Sequence, residues 1–218
     1  MTNSLPTHAE VVIVGGGIVG CSIAYHLTRL GITDVVLLEQ NKLTSGTTWH
    51  AAGLVGQLRA TQNLTRLAKY TTELFAELEA ETGLSTGYKR TGSISLATNL
   101  ERMEELNRQS STARAFGVEA EIIQPQDVLQ YWPGINLDGV AGAVYLPGDG
   151  QTNPVDTTMA LAKGARSGGA MIFENQEVLE LLTNAGGICG VRTSAGEISA
   201  NKVVLASGMW SRQLAATI

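Results

Sequence analysis

Gly15, Gly17 and Gly20 stand at G-x-G-x-x-G spacing within Gly15-Gly16-Gly17-Ile18-Val19-Gly20. That spacing suits a phosphate-binding turn. The first glycine permits a tight turn off a strand. The second, lacking a Cβ, lets a pyrophosphate approach the backbone, and the third lets a helix pack close to a sheet. The free N–H groups at the helix start, aided by its dipole, then hold phosphate charge. Glu39 lies 19 positions after Gly20, near the ~20 at which a carboxylate meets ribose hydroxyls. The motif by itself does not separate NAD from FAD, and a glycine-rich turn in an unrelated α/β protein carries the same letters. A second stretch, Thr44-Ser45-Gly46-Thr47-Thr48-Trp49-His50-Ala51-Ala52-Gly53-Leu54, is also chemically equipped. Hydroxyls and N–H groups of Thr47 and Thr48 suit phosphate, and small residues around His50 admit a planar ligand. The bland alternative is a loop histidine making an ordinary hydrogen bond.

The elements that must position these residues follow from the pattern. Glu10–Gly15 reads as a strand buried on both faces, and Val19, Ile23, Leu27 and Leu30 recur at helical spacing. Val35–Glu39 is a second buried strand, so the opening makes a βαβ unit. The loop from Lys42 to Gly56 then runs over the carboxyl edge of the sheet, where ligands bind in such folds. Helices are expected over Leu64–Glu81, Leu100–Phe116, Pro125–Tyr131 and from Pro154 to about Ser167. Strands are expected over Gly92–Ala97, Ala120–Ile123, Gly142–Leu146 and Met171–Phe173. Three short antiparallel strands, Glu177–Leu182, Ile188–Thr193 and Glu197–Ser199, precede a further buried strand, Val203–Ala206. The layout suggests a discontinuous nucleotide-binding domain over residues 1–60 and 148–218, interrupted by a partial substrate-side region over residues 61–147. Only some ten residues follow the last strand, too few for a crossover and partner strand, so the chain reads as truncated.

The chain has 218 residues, 44% apolar and 16% charged, enough to build a core and against disorder. Its formal charge of −5 argues against a nucleic-acid partner or an anionic membrane surface. No apolar run reaches the ~18 residues of a membrane span, and the opening residues lack a targeting pattern. Cys21 and Cys189 are far apart, without metal-like spacing, and no metal cluster is evident. A cytoplasmic protein is the expectation.

Gly16, Ala24, Leu27 and Gly31 extend the glycine motif toward the pattern of glutathione-reductase-type flavoproteins, and the antiparallel stretch before the returning strand resembles the crossover of that fold. More specifically, GGGIVG at 15–20, LLEQ at 37–40, LTSGTTWHAAGL at 43–54, TGSISLAT at 91–98, YLPGDGQTNP at 145–154, TMALAKGAR at 158–166 and ASGMWS at 206–211 resemble the N-terminal part of the dimethylglycine dehydrogenase and sarcosine dehydrogenase family, within the glycine oxidase and D-amino-acid oxidase group. The resemblance implies an α/β, Rossmann-like FAD-binding fold with an antiparallel crossover and part of a substrate domain. It implies that Ile18 and Val19 lie along the pyrophosphate, Glu39 and Gln40 at the ADP ribose, and Gly46, Thr47, Thr48, Trp49, His50, Ala51, Ala52, Gly53 and Leu54 around the flavin. His50 corresponds to the histidine joined covalently to the flavin 8α-methyl, Val178 to the residue whose backbone meets adenine, and Trp210 to a further FAD contact. Each of the last two has a plain alternative in core packing. Asn153 departs from the family, which often has Asp there.

The resemblance implies a flavin-dependent oxidoreductase that oxidises an N-methylated glycine-type amine. It names no catalytic acid or base here, because the family's further segments, including the last FAD-binding stretch and often a folate-binding C-terminal region, fall outside this chain. Two other readings stand beside it: a non-catalytic FAD-binding fragment that requires a partner chain or the missing segment, and an NAD-linked dehydrogenase.

Overall fold

The computed structural model describes residues 4–216 and 218. The first strand, β1 (His8–Val14), runs into helix α1 (Ile18–Arg29) and then β2 (Val35–Glu39). All five residues of β2 are buried, as expected for a strand covered on both faces of a parallel sheet. After a 3₁₀ turn (Thr48–His50) come β3 (Leu54–Val55), α2 (Gln62–Thr82), β4 (Ser93–Ala97) and α3 (Leu100–Ala115). They are followed by β5 (Glu121–Ile123), β6 (Gly142–Leu146), β7 (Gly150–Gln151) and α4 (Pro154–Ser167). The chain ends with β8 (Met171–Glu174), β9 (Val178–Asn184), β10 (Gly187–Thr193), β11 (Gly196–Leu205), a 3₁₀ turn (Gly208–Trp210) and α5 (Ser211–Ala215). Residues expected to form a short helix at Pro125–Tyr131 form a 3₁₀ turn, Pro125–Gln130.

The chain forms two compact units. The first comprises Met1–Ala52, Leu78–Thr86 and Asn153–Ile218 and the second Gly53–Glu77 and Gly87–Thr152. The sequence reading put these divisions near residues 60 and 148 and did not assign Leu78–Thr86 to the first part. A polar cluster accounts for that segment: the Tyr25 hydroxyl of α1 donates to Glu81 at 2.6 Å, and Arg29 donates to the Tyr25 oxygen at 2.7 Å and pairs with Glu81 at 3.2 Å.

In the first unit a six-stranded sheet has the order β8-β2-β1-β11-β10-β9. β8, β2, β1 and β11 are parallel, and β11, β10 and β9 are antiparallel. The sequence reading separated Glu197–Ser199 from Val203–Ala206. The structure corrects this, because Glu197–Ser199 and Val203–Leu205 belong to the one strand β11, which ends just before Ala206. Nothing between them breaks an extended backbone: Ala200-Asn201-Lys202 contains neither glycine nor proline. The first part of β11 pairs with β10 (Thr193↔Gly196, Gly190↔Ser199) and the strand pairs with β1 from His8↔Ser199 to Val14↔Leu205. Among the described residues, positions 200–205 therefore pair with β1 alone. One core cluster contains Val12, Val14, Val36, Leu38, Leu181, Val191 and Ile198. Buried Cys21, Ala24 and Tyr25 of α1 and Ala160, Leu161, Ala162 and Ala165 of α4 form apolar faces, and these two helices pack on one another.

The second unit holds an antiparallel sheet, β4-β6-β5, and the short pair β3-β7. Its core joins Ala97, Leu106, Ala113, Val118, Val144 and Leu146. The carboxylate of buried Asp149 accepts from the Gln57 N–H at 2.7 Å and the Ser93 hydroxyl at 2.6 Å, tying the turn after β6 to two other segments. Among the described residues no helix is long and apolar enough to cross a membrane.

Candidate functional site

The ends of β1, β2 and β11 meet at a cavity of about 360 Å³ in the first unit, lined in part by Gly15, Gly17, Glu39, Thr48, Ala206 and Trp210. This is the carboxyl edge of the parallel strands, the ligand position of open α/β sheets, and the volume lies within the range of small-molecule pockets.

The glycine turn is built on close approach. Gly15 has φ +114°, and a Cβ there would sit 2.5 Å from the Ala206 carbonyl oxygen at the end of β11. A Cβ on Gly20 would overlap the Gly15 carbonyl oxygen, so α1 starts directly against the turn. Gly17 differs: its backbone is extended, and a Cβ there meets only the Thr48 hydroxyl, at 3.1 Å. Gly17 faces the cavity, and its missing side chain leaves room there. Thr48 Oγ1 accepts from the Ile18 N–H at 3.0 Å. Among the described residues the N–H groups of Gly17 and Val19 have no protein acceptor, which leaves donors at the helix start for an anion.

Glu39 has a second task beside any ligand. One of its carboxylate oxygens accepts from the Gly16 N–H at 2.7 Å and the other from the Asn41 N–H at 2.9 Å. It is buried at 9% exposure and lines the cavity with Gln40. The carboxylate thus fixes the glycine turn and keeps acceptor capacity, since two oxygens offer about four lone-pair positions. Thr44, a β-branched residue at φ 72°, donates its N–H to Gly16 O at 3.1 Å and fastens the following loop to the same turn. Behind the turn, burial pushes the Cys21 thiol up to about 12, and its sulfur contacts Gly16 O at 3.6 Å. It is a packing residue, outside the cavity lining.

Of the residues singled out in the sequence, Gly15, Gly17, Ile18, Val19, Glu39, Gln40, Gly46, Thr47, Thr48, Val178 and Trp210 come together around this cavity. Gly20 lies beneath it as a packing position. Trp49, His50, Ala51 and Ala52 are exposed and do not line it. The Trp49 and His50 rings are close neighbours, with centroids 3.7 Å apart and planes at 32°. Gly53 and Leu54 belong to the second unit. The sequence reading missed Gln176, Glu177, Leu179, Gln213 and Leu214, which also line the cavity. They follow β8 or lie on β9 and α5. No spacing marks them: Gln176, for one, is set by the pairing of β8 with β2, after which its N–H donates to Glu39 O at 2.8 Å. Among the described residues no cluster of His, Cys, Asp and Glu could hold a metal ion.

Comparison with known proteins agrees with this geometry. The profile of the FAD dependent oxidoreductase family (DAO) matches residues 10–218. The chain is 46% identical to 4-methylaminobutanoate oxidase (formaldehyde-forming) of Paenarthrobacter nicotinovorans, over 98% of this chain and 26% of that protein. It is 41% identical to mitochondrial dimethylglycine dehydrogenase of Rattus norvegicus, over 94% of this chain and 24% of that protein. It superposes on the crystal structure of L-proline dehydrogenase from P. horikoshii with a TM-score of 0.92 and 31% identity, covering 98% of this chain and 56% of that one. The chain spans about a quarter of the length of these two curated relatives. With a family profile matched from residue 10 to residue 218, over a sheet edge shaped for a dinucleotide, the chain belongs to the FAD dependent oxidoreductase family, beside the dimethylglycine dehydrogenases and 4-methylaminobutanoate oxidase.

Proposed function

We propose that this chain is the FAD-binding part of an enzyme that oxidises an N-methylated amine of the dimethylglycine or sarcosine type. The observation that carries the proposal is the cavity at the carboxyl edge of β1, β2 and β11. Its glycine turn offers unpaired N–H groups at Gly17 and Val19, and Glu39 borders the same space. These residues fit the ADP half of FAD: donors for the diphosphate, absence of a Cβ at Gly17 where a bulky group would intrude, and a carboxylate for ribose hydroxyls. When bound, FAD supplies the acceptor for a hydride equivalent from the N-methyl carbon. The chain's own contribution is to bind, orient and exclude competing reactions. The amine class rests on the names of the relatives, 4-methylaminobutanoate oxidase and dimethylglycine dehydrogenase.

Covalent attachment through His50 belongs to the same proposal. His50 ends the 3₁₀ turn on the first unit, and it and its neighbour Trp49 are exposed, with their rings side by side. The test is acid precipitation of the purified chain. Yellow colour that stays with the wild-type pellet and leaves with the supernatant in His50→Ala supports linkage. Colour that washes out of the wild type refutes it. Turnover of dimethylglycine or sarcosine with an artificial electron acceptor tests the enzyme reading, and a flavin-loaded chain without turnover refutes activity for this chain alone. A second reading, an FAD-binding part that needs a further segment or chain, is favoured by one observation. Residues 200–205 of β11 pair on one side only, leaving main-chain groups open to another strand. It predicts flavin binding without turnover.

A further inference from the structure

Gln176 is the unusual member of the cavity lining. Its side-chain oxygen is buried and has no hydrogen-bond partner among the described residues. A buried acceptor without a donor is costly, and such groups call for an explanation. The residue is held in place by its backbone. The Gln176 N–H donates to Glu39 O at 2.8 Å, and the preceding Asn175, at φ 56°, donates to Asn41 O at 2.8 Å. Glu174 accepts the Leu43 N–H at 2.8 Å. Residues 174–176 are thus laced to the segment after β2, and Gln176 lines the same cavity as Glu39, the residue assigned above to ribose. Val178, Leu179 and Leu214 supply apolar wall in the same cavity, a lining suited to the faces of a base.

We infer that the buried side-chain oxygen of Gln176 selects a 6-amino purine, accepting from the exocyclic amino group of adenine. The inference rests on the FAD reading. A ribose at Glu39 sends the base attached to it along the neighbouring lining, where this acceptor lacks a donor. Adenine presents an amino donor at position 6, whereas a 6-oxo purine presents an acceptor there. A site built to receive a hydrogen bond rejects an analogue that cannot make it more strongly than an apolar pocket does.

The test uses the chain produced in a riboflavin-requiring host without added flavin, titrated calorimetrically with ADP and with inosine diphosphate, its 6-oxo counterpart. The wild type is expected to favour ADP by about tenfold. Gln176→Met, of similar length but without the amide, is expected to weaken ADP and bring the two ligands within about threefold. Gln176→Glu keeps an acceptor and is expected to keep the preference, which guards against a Met variant that does not fold. Equal binding by the wild type, or a preference that survives in a folded Met variant, overturns the inference while leaving the FAD reading standing. Failure of the wild type to bind either diphosphate overturns the FAD reading itself.

Discussion

Gly17 and Gly20 are expected to respond to the same substitution in opposite ways. An alanine at Gly20 places a methyl group onto the Gly15 carbonyl oxygen, with the carbonyl carbon 3.1 Å away and the Ala206 Cβ 3.5 Å away. Two of these neighbours are backbone in the turn, so α1 must retreat by about 1 Å. Overpacking of this kind costs about 1–3 kcal/mol, and the better helix propensity of alanine returns about 0.5–1 kcal/mol. Because the overlap falls on backbone that cannot rotate away, the upper end of the overpacking range applies, and the net loss of about 2 kcal/mol corresponds to a fall in Tm of roughly 4–8 °C for a chain of this size. An alanine at Gly17 meets only the Thr48 hydroxyl at 3.1 Å, with an extended backbone any residue adopts. Its stability cost is held to about 1 kcal/mol or less, the ordinary difference between glycine and alanine at an N-cap. That methyl group stands in the cavity and nudges the Thr48 oxygen that caps Ile18, so ADP affinity is expected to fall by about tenfold or more. Thermal melts and ADP titrations of both variants decide the matter. A Gly20→Ala chain that melts like the wild type, or a Gly17→Ala chain that binds ADP like the wild type, refutes the assignment of packing to one glycine and ligand access to the other.

Three further outcomes follow from the structure. Cys21 is buried, with its thiol pushed up to about 12 by desolvation, whereas Cys189 is half-buried; a thiol reagent at pH 8 is expected to label Cys189 first, and Cys21 only as the chain unfolds. Burial, reinforced by its hydrogen bond to Glu81, pushes the Tyr25 hydroxyl up to about 12 from 10.0. The folded chain holds this proton more tightly, so its contribution is complete below pH 10 and is lost as pH rises through about 12. Tyr25→Phe is expected to cost about 1–2 kcal/mol at neutral pH and to lessen the loss of stability between those limits, as measured by urea titrations. Asp149→Ala leaves the buried Gln57 N–H without its acceptor and is expected to cost about 3 kcal/mol, read as a lower urea midpoint, with Asp149→Asn milder because one amide oxygen remains.

Local rules made part of this fold legible from the sequence. The glycine turn, α1 and β2 follow from periodicity and from residues that serve one purpose each, and Pro154 marked the start of α4 at the position observed. The six residues Gly15, Gly17, Ile18, Val19, Glu39 and Gln40 fell into the cavity lining because strand, turn, helix and strand are consecutive. What stayed hidden depends on pairing between distant segments. The continuity of β11 is one example: β1 supports it along one side, which no local signal announces. Gln176 is another, since its place beside Glu39 is set by the β2–β8 register, Glu39↔Glu174. The Asp149 carboxylate ties residues 57 and 93 together, a role visible only when three stretches of chain are folded.

The double engagement of Glu39 bears on attempts to redesign the crevice. An acid at the end of the second strand suits free ribose hydroxyls, so admitting a ribose that bears an extra phosphate calls for a neutral or basic residue there. Here the same carboxylate also receives the Gly16 and Asn41 amides, so the exchange would unfasten the glycine turn before any new ligand arrived. Retuning this crevice therefore requires a second substitution that supplies those two amides with fresh acceptors.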